Sequence, residues 1–449
     1  MKTIGLDIGT TSISAVVLDT EKKEIILSRN IPNGCFIQTG NAWERIQDAG
    51  KLSAKAKTLL DDILLEEPDA ERIGMTGQMH GIVYLDEAGN CISPLYTWQD
   101  GRGDLPIGDG PSVVSEVRER FGVPAASGYG LLTHLYHVRK GMVPQGAAYI
   151  CTIMDYLGMQ LTGRKAPLTH TSNAASFGFF DVKDNVFFTD VMRDCGMDLK
   201  ILPETSEKVE VLGTYQGKPL TIALGDNQAS FLGAAGLEFG AWLLNVGTGG
   251  QISVLSDVFF EAAGIEARPY LEGKYLLAGS TLCCGRAYAI LEKFFRAYAK
   301  ALGHGNREQY VVMAKILEES VRAENGGKSG ASLTGDHDEM RVVTKFSGTR
   351  IDPTERGSIT NISENNFTPA GMIRGVLTGM SQELHDLYLL IHDGTGIPVN
   401  TLLGSGNGVR KNELLQKIFT EMFACPITLS RYEEEAAGGA AASTLYAAL

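Results

Sequence analysis

Ile4-Gly5-Leu6-Asp7-Ile8-Gly9-Thr10-Thr11-Ser12-Ile13-Ser14-Ala15-Val16-Val17-Leu18-Asp19 places two β-rich runs on either side of a Gly-Thr-Thr turn. Such runs around a short turn predict a tight hairpin whose turn exposes backbone N–H groups and two hydroxyls. A turn of this kind can hold an anion. Gly9 has no Cβ, so a phosphate oxygen can come close to the main chain, and Asp7 suits a hydrated Mg²⁺ that keeps most of its waters. An ordinary hairpin explains the same residues equally well, so the stretch needs a second observation beside it.

Leu243-Leu244-Asn245-Val246-Gly247-Thr248-Gly249-Gly250-Gln251-Ile252-Ser253-Val254-Leu255-Ser256-Asp257 supplies that observation. Aligning Asn245 with Asp7 puts Gly247 on Gly9, Thr248 on Thr10 and Asp257 on Asp19. The repeat divides the chain near its middle and points to two related halves, each offering a phosphate-facing hairpin to one cleft. This arrangement resembles the actin-like ATPases. The expected fold class is α/β, with two actin-like (ribonuclease H-like) domains flanking a central catalytic cleft, residues 1–235 forming the first and 236–449 the second.

A chain of 449 residues exceeds one ordinary core, and its 44% hydrophobic and 21% charged residues are typical of chains that bury substantial interiors. The net charge of −13, without any basic run, argues against nucleic acid as a partner. Met1-Lys2-Thr3 leads straight into strand-like sequence with no signal-peptide pattern, and no apolar run approaches the roughly 18 residues a membrane span needs. The expected location is cytoplasmic, with no membrane partner. The seven cysteines, Cys35, Cys91, Cys151, Cys195, Cys283, Cys284 and Cys425, include no Cys-x-x-Cys and signal neither a disulfide framework nor a zinc site. Asn361-Ile362-Ser363 and Asn366-Phe367-Thr368 fit the glycosylation pattern, read here as chance in the absence of a secretory signal.

Along the chain, a third strand is predicted over 24–30 and a helix over 49–65, where Leu52, Ala56, Leu59, Leu60, Ile63 and Leu64 recur at helical spacing before Pro68. The stretch from Arg72 to Leu85 reads as a strand broken by glycines on both sides of Gln78-Met79-His80, and glycines inside a strand often mark a ligand's approach. Tyr96-Thr97-Trp98-Gln99-Asp100-Gly101-Arg102 sets an indole, an amide, a carboxylate and a guanidinium side by side, enough to face a sugar ring and its hydroxyls, or to form a surface turn. His134 and His137 lie three apart without a further ligand to complete a metal set. Leu220 to Gly225 reads as a buried strand ending at Asp226, a carboxylate placed to take a proton or merely to cap a helix.

In the second half, helices are predicted over 285–302 and 307–324, and Gly233 to Gly240 reads as a hinge. Gly326-Gly327-Lys328-Ser329 lacks the earlier glycine of a P-loop, where Arg322 stands, and is read as a flexible loop. Phe346 to Arg350 is expected at a strand end, and Thr368-Pro369 to open a long helix reaching about 393. Gly404-Ser405-Gly406-Asn407-Gly408 joins a short strand to a helix over 412–423, a turn where a nucleotide can lie against bare backbone. The small residues of Ala436-Ala437-Gly438-Gly439-Ala440 suit close packing or the approach of an adenosine.

Taken together, Gly77-Gln78-Met79-His80-Gly81, Thr97-Trp98-Gln99-Asp100-Gly101-Arg102, Asn173-Ala174-Ala175-Ser176-Phe177-Gly178-Phe179, Gly225-Asp226-Asn227-Gln228 and Gly404-Ser405-Gly406-Asn407 resemble the FGGY family of carbohydrate kinases, over nearly the whole chain. Within that family the markers look most like its sedoheptulose-kinase branch. One departure is the absence, near Thr420-Glu421, of an Ala-Asp pair common in the family's C-terminal signature.

The resemblance implies an ATP-dependent kinase acting on a ketose, with ATP and Mg²⁺ as cofactors, a small-molecule sugar as partner and a homodimer as the candidate assembly. Asp226 would be the catalytic base and, with Asp7, a metal-organising carboxylate. Gly9, Thr10, Thr11, Gly247 and Thr248 would cradle the phosphates, and Gly404, Gly406, Asn407 and Gly438 would flank adenosine. Gln78, Met79, His80, Trp98, Asp100, Tyr129 and Asn227 would contact the sugar. A xylulose or other ketose or polyol kinase fits the same motifs, since one hydroxyl changes few residues. A catalytically silent sugar- or nucleotide-binding regulator is the alternative of a different class; Asp7 and Asp226 together disfavour it.

Overall fold

The computed structural model describes residues 1–324, 333, 339–350 and 352–448. The Gly326-Gly327-Lys328-Ser329 stretch lies outside the described residues. Lys2–Ile8 (β1) and Ser12–Asp19 (β2) pair antiparallel, with Asp7 opposite Ser14, and Glu24–Pro32 (β3) joins β2. Both first strands are buried on both faces, so their sequences run almost continuously apolar. Ala49–Glu66 (α1) starts at Asp48, whose carboxylate accepts the Lys51 N–H, and it buries the predicted leucine-rich face. Arg72–Gly77 (β4) runs parallel to β1. Val211–Tyr215 (β5), Lys218–Thr221 (β6) and Leu224–Gly225 (β7) complete a sheet in the order β5-β6-β4-β1-β2-β3, with β7 also on β4. Gly130–Lys140 (α2) and Ile153–Thr162 (α3) precede β5, and Asp226–Ala235 (α4) follows β7 directly.

The predicted strand over 72–85 is two strands. β4 stops at Gly77, and Val83–Leu85 pairs instead with Tyr149–Cys151. Between them His80 takes a left-handed backbone with φ of 70°, which turns the chain out of the first sheet.

In the second half, Ala241–Val246 (β8), Gly250–Ser256 (β9), Ile265–Pro269 (β10), Tyr275–Thr281 (β11), Thr401–Ser405 (β12) and Ile427–Leu429 (β13) form a sheet in the order β10-β11-β9-β8-β12-β13. β8 is antiparallel to β9 and parallel to β12, as β1 is antiparallel to β2 and parallel to β4. The duplication seen in the sequence is therefore a duplication of sheet topology. It is not exact beyond the turns: Ile8 pairs with Ile13 whereas Val246 pairs with Gly250, so the second turn is one residue shorter and the alignment of Asp257 with Asp19 slips by one. Gly285–Ala301 (α5) and Pro369–Thr395 (α6) are the main helices, the latter capped by Thr368 with Pro369 in its first turn. Phe346 to Arg350 does not end a strand. Arg341–Val343 stops earlier, and the chain turns at Gly348, whose φ of 73° a side chain would strain.

Two compact units emerge. The first is Met1–Gly236, Arg268–Tyr275 and Glu434–Leu449; the second is Leu237–Ala267 and Leu276–Glu433. In the first unit the C-terminal helix Glu435–Ser443 (α7) presses its backbone against β1, β4 and α4. A Cβ added to Gly5 would stand 1.8 Å from the Ala437 carbonyl oxygen, one on Gly74 1.9 Å from that of Ala440, and one on Gly439 1.7 Å from that of Ala229. Main chains this close leave no volume for side chains, which is the role of the glycines and alanines in this stretch.

Candidate active site

Three parallel strand tips of the first unit lie level with one another. Ile8 of β1 and Gly225 of β7 both pair with Gly77 of β4, so Gly9, Gln78 and Asp226 all follow from one edge of the sheet. Thr76 donates its hydroxyl to the Leu224 carbonyl (2.8 Å), the Gln78 N–H reaches the Ile8 carbonyl (3.0 Å), and Ser172 Oγ accepts the Gly225 N–H (3.0 Å). Carboxyl ends of parallel strands are where open α/β sheets take ligands.

Asp226 is the first residue of α4, and Gly225 is its N-cap. Burial raises its carboxyl to about 6, against the pull of the Asn227 N–H, the Arg268 guanidinium and the Asn227 side chain, which donates to Oδ1 at 3.1 Å. Burial also raises Asp7, to about 7, and the charges of Asp226 and Glu434 push the same way. The lower carboxyl ionises first and its charge then holds the proton on the other. Oδ1 of Asp7 is buried and has no hydrogen-bond partner among the described residues. A buried carboxylate with an oxygen to spare, beside a second carboxylate, fits a hydrated divalent cation.

The turn after β1 is held by amides. Asn33 donates to the Gly9 carbonyl (2.8 Å) and its own N–H reaches Thr11 O (2.9 Å). Gln47 donates to Thr10 O (3.0 Å), Gln78 donates to Gln47 Oε1 (3.0 Å), and Trp98 donates its indole N–H to Thr10 Oγ1 (2.9 Å). Trp98 otherwise stands half-exposed, and Thr11 is exposed at the turn.

The remaining expected sugar residues fall into two groups. Met79 meets Asn227, whose side-chain amide lies 3.9 Å from the sulfur. The His80 ring stacks on Tyr129 at 4.8 Å, while Ser176 binds the His80 N–H and ring Nδ1 through its hydroxyl and carbonyl. Asn173 ties its amide to Ala223 O, so the Asn173–Ser176 turn braces both His80 and the strand leading to Asp226. Asp100 differs. Its carboxylate is buried against Arg102, Nε to Oδ1 at 2.6 Å and Nη2 to Oδ2 at 3.0 Å, and also accepts the Arg45 N–H. Behind it Arg102 donates to His137 Nε2, so His137 donates from Nδ1 to Tyr84, whose hydroxyl donates to His134 Nδ1. Burial holds His134 down to about 4 and His137 to about 3, so both are neutral and this chain of donors is fixed. His134 and His137 thus serve as a structural brace.

Gly247 and Thr248 lie exposed in the turn after β8, and the N–H groups of Cys284, Gly285 and Arg286 at the start of α5 bind that turn's carbonyls. Gly404 ends inside β12 and Gly406 follows it with φ of 80°, where a Cβ would stand 2.6 Å from Val246 O. Asn407 is exposed at the start of the next helical turn. These five residues belong to the second unit. Gly438 is buried in α7 of the first unit.

Three residues near the acids were missed by local reading. Gln47 joins Thr10 to Gln78 from the short strand Ile46–Gln47. Arg268 and Glu434 act on Asp226 and Asp7 from segments far along the chain, and the segment carrying Arg268 is strapped to α4 by Gln228, which donates to Pro269 O (3.1 Å), and by Phe231 against Tyr270 (5.9 Å, edge-on). No sequence periodicity marks such contacts.

The chain is 25% identical to mouse sedoheptulokinase over 98% of this chain and 96% of that protein, and 24% identical to the xylulose kinase of Staphylococcus xylosus over 98% and 89%. Among solved structures, the xylulose kinase of Rhodospirillum rubrum superposes with a TM-score of 0.81 at 21% identity, covering 99% of this chain and 89% of that one. Residues 2–235 match the N-terminal domain of the FGGY family of carbohydrate kinases and residues 246–448 its C-terminal domain, so the chain belongs to that family and is an ATP-dependent sugar kinase.

Proposed function

We propose that the sugar is a ketose, sedoheptulose first among candidates, phosphorylated on its terminal hydroxyl to the 7-phosphate. Asp226 takes the hydroxyl proton as that oxygen attacks the γ-phosphorus. The new O–P bond forms as the bond to the leaving ADP breaks, with no covalent intermediate on the protein. The 1–235 domain supplies the sugar site, the first phosphate turn and the base; the 236–449 domain supplies the second phosphate turn and, with Gly404, Gly406 and Asn407, the adenosine side. Gln78, Met79, His80, Trp98, Tyr129 and Asn227 contact the sugar, and Asp100 orients the Trp98 loop through Arg102. Asp7 and Asp226 would hold Mg²⁺, which when bound would neutralise phosphate charge.

The observation that carries this reading is the position of Asp226, a half-buried carboxylate that desolvation raises to about 6, at a strand tip level with Gly9 and Gln78. A base is most effective when its pKa lies near the working pH. The likeness to sedoheptulokinase over nearly both full lengths favours the seven-carbon ketose. The likeness to a xylulose kinase keeps the five-carbon ketose as the second reading. Ranking C5 to C7 ketoses and polyols by kcat/KM for ATP consumption decides between them: sedoheptulose should head the series, and a clear preference for xylulose would replace it.

A further inference from the structure

The hydrogen bonds around Thr10 have only one consistent direction. The Thr10 carbonyl can only accept, so Gln47 must turn Nε2 toward it, at 3.0 Å. That leaves Gln47 Oε1 for Gln78, which must therefore present Nε2, at 3.0 Å, and point its own Oε1 at the Thr10 hydroxyl. Trp98 Nε1 can only donate, and does so to Thr10 Oγ1 at 2.9 Å. The hydroxyl has a single hydrogen, and the acceptor this ring leaves for it is Gln78 Oε1, at 3.4 Å. The turn's Thr10 O–H is thus committed before any phosphate arrives, through the longest contact of the ring, well beyond the usual 2.5–3.0 Å span for O–H···O.

We propose that Gln78 makes the phosphate turn responsive to the sugar: a sugar hydroxyl donating at normal distance to Gln78 Oε1 weakens the long 3.4 Å contact from Thr10 to the same oxygen, and the Thr10 hydrogen turns to donate to a nucleotide phosphate oxygen. Trp98 keeps Oγ1 in place while its hydrogen changes partner. No bond other than hydrogen bonds is exchanged, so sugar and nucleotide strengthen one another's binding by the same factor, as linkage requires. The proposal rests on the reading that places sugar at Gln78 and phosphate at the Thr10 turn.

The test is calorimetric titration of a non-hydrolysable ATP analogue with Mg²⁺, with and without saturating sedoheptulose. In the unsubstituted protein the ketose should tighten nucleotide binding by about fivefold or more. Thr10→Val should bring that ratio close to one, and Thr10→Ser should restore it. Gln78→Leu, which removes the competing acceptor, should bind the nucleotide without sugar about as tightly as the unsubstituted protein does with it. A Thr10→Val protein that keeps the full ratio, or a Gln78→Leu protein that keeps the sugar-free affinity, overturns the hand-over while leaving the kinase reading intact. An unsubstituted protein that binds the nucleotide but none of the C5 to C7 ketoses overturns the substrate reading itself, and the hand-over with it.

Discussion

Asp7 and Asp226 stand at neighbouring tips of one sheet, Asp7 opposite Thr76 on β4 and Asp226 one residue beyond Gly225, which pairs with Gly77 of the same strand. Both are half-buried and their carboxyls desolvated, yet their surroundings separate them. Arg268 and the Asn227 donors favour the Asp226 carboxylate, while Asp7 meets only negative charge among its named influences. Pairs of acids pushed apart in this way differ in protonation near neutral pH, and the lower pKa here belongs to Asp226.

Because Asp226 must be ionised to act as the base, kcat/KM should fall as pH drops through about 6. Asp226→Asn should keep the fold and nucleotide binding while lowering kcat by about 10² to 10⁴. A pH–rate profile of the unsubstituted enzyme, together with circular dichroism and nucleotide titration of the variant, checks both. Near-normal turnover in Asp226→Asn refutes the assignment.

Asp7 carries a stability cost with a definite pH dependence. Its folded pKa, about 7, lies above the ordinary 3.8, so the folded state binds the extra proton between those values. Stability is full below 3.8 and is lost as pH rises through 7, where a charged carboxylate stays buried. Asp7→Asn escapes this loss and should be more stable than the unsubstituted protein, with the gap widening by about 2–3 kcal/mol between pH 5 and pH 8 at roughly 1.4 kcal/mol per pH unit. Urea denaturation of both proteins at the two pH values measures it. The same substitution should impair turnover.

The parts legible in the sequence are those written locally. β1 and β2 follow from their apolar runs and α1 from its helical spacing, and the hairpin repeat from a Gly-Thr pair preceded by an acid or its amide. Asp226 stands out because an apolar run ends there. What was not legible depends on contacts between distant segments. Gln47 finds Thr10 and Gln78, and Glu434 influences Asp7, without any spacing that could reveal it. Asp100 was read beside Trp98 as a sugar contact; the structure commits its carboxylate to Arg102, two residues on, because a buried guanidinium needs a counter-charge. The shorter second turn was hidden by an ungapped alignment that holds up to Thr248 and slips only afterwards.

The close approach of α7 makes its glycines sensitive. Gly439→Ala puts a methyl 1.7 Å from the Ala229 carbonyl oxygen on α4, so either helix must shift. Overpacking of this kind costs about 1–3 kcal/mol, more where backbone is the obstacle. Because α4 begins with Asp226, the variant should lose both thermal stability and kcat. Gly303→Ala is a useful contrast: its Cβ would meet nothing within 4 Å among the described residues, and its cost comes from a φ of 87°. It should therefore lower the melting temperature while leaving kcat unchanged.

Arg268 offers a test that separates charge from packing. Its segment is fastened to α4 by the Gln228 and Tyr270 contacts, and its guanidinium opposes the burial that raises Asp226. Removing the cation leaves burial less opposed, so Arg268→Gln should move the acid limb of kcat/KM to higher pH, with the plateau at high pH less affected than the rate at pH 6. Arg268→Lys, which retains the charge, should return the limb toward its original position. A purely structural role predicts a lower rate at every pH with an unmoved limb, and that result would remove Arg268 from the account of the base.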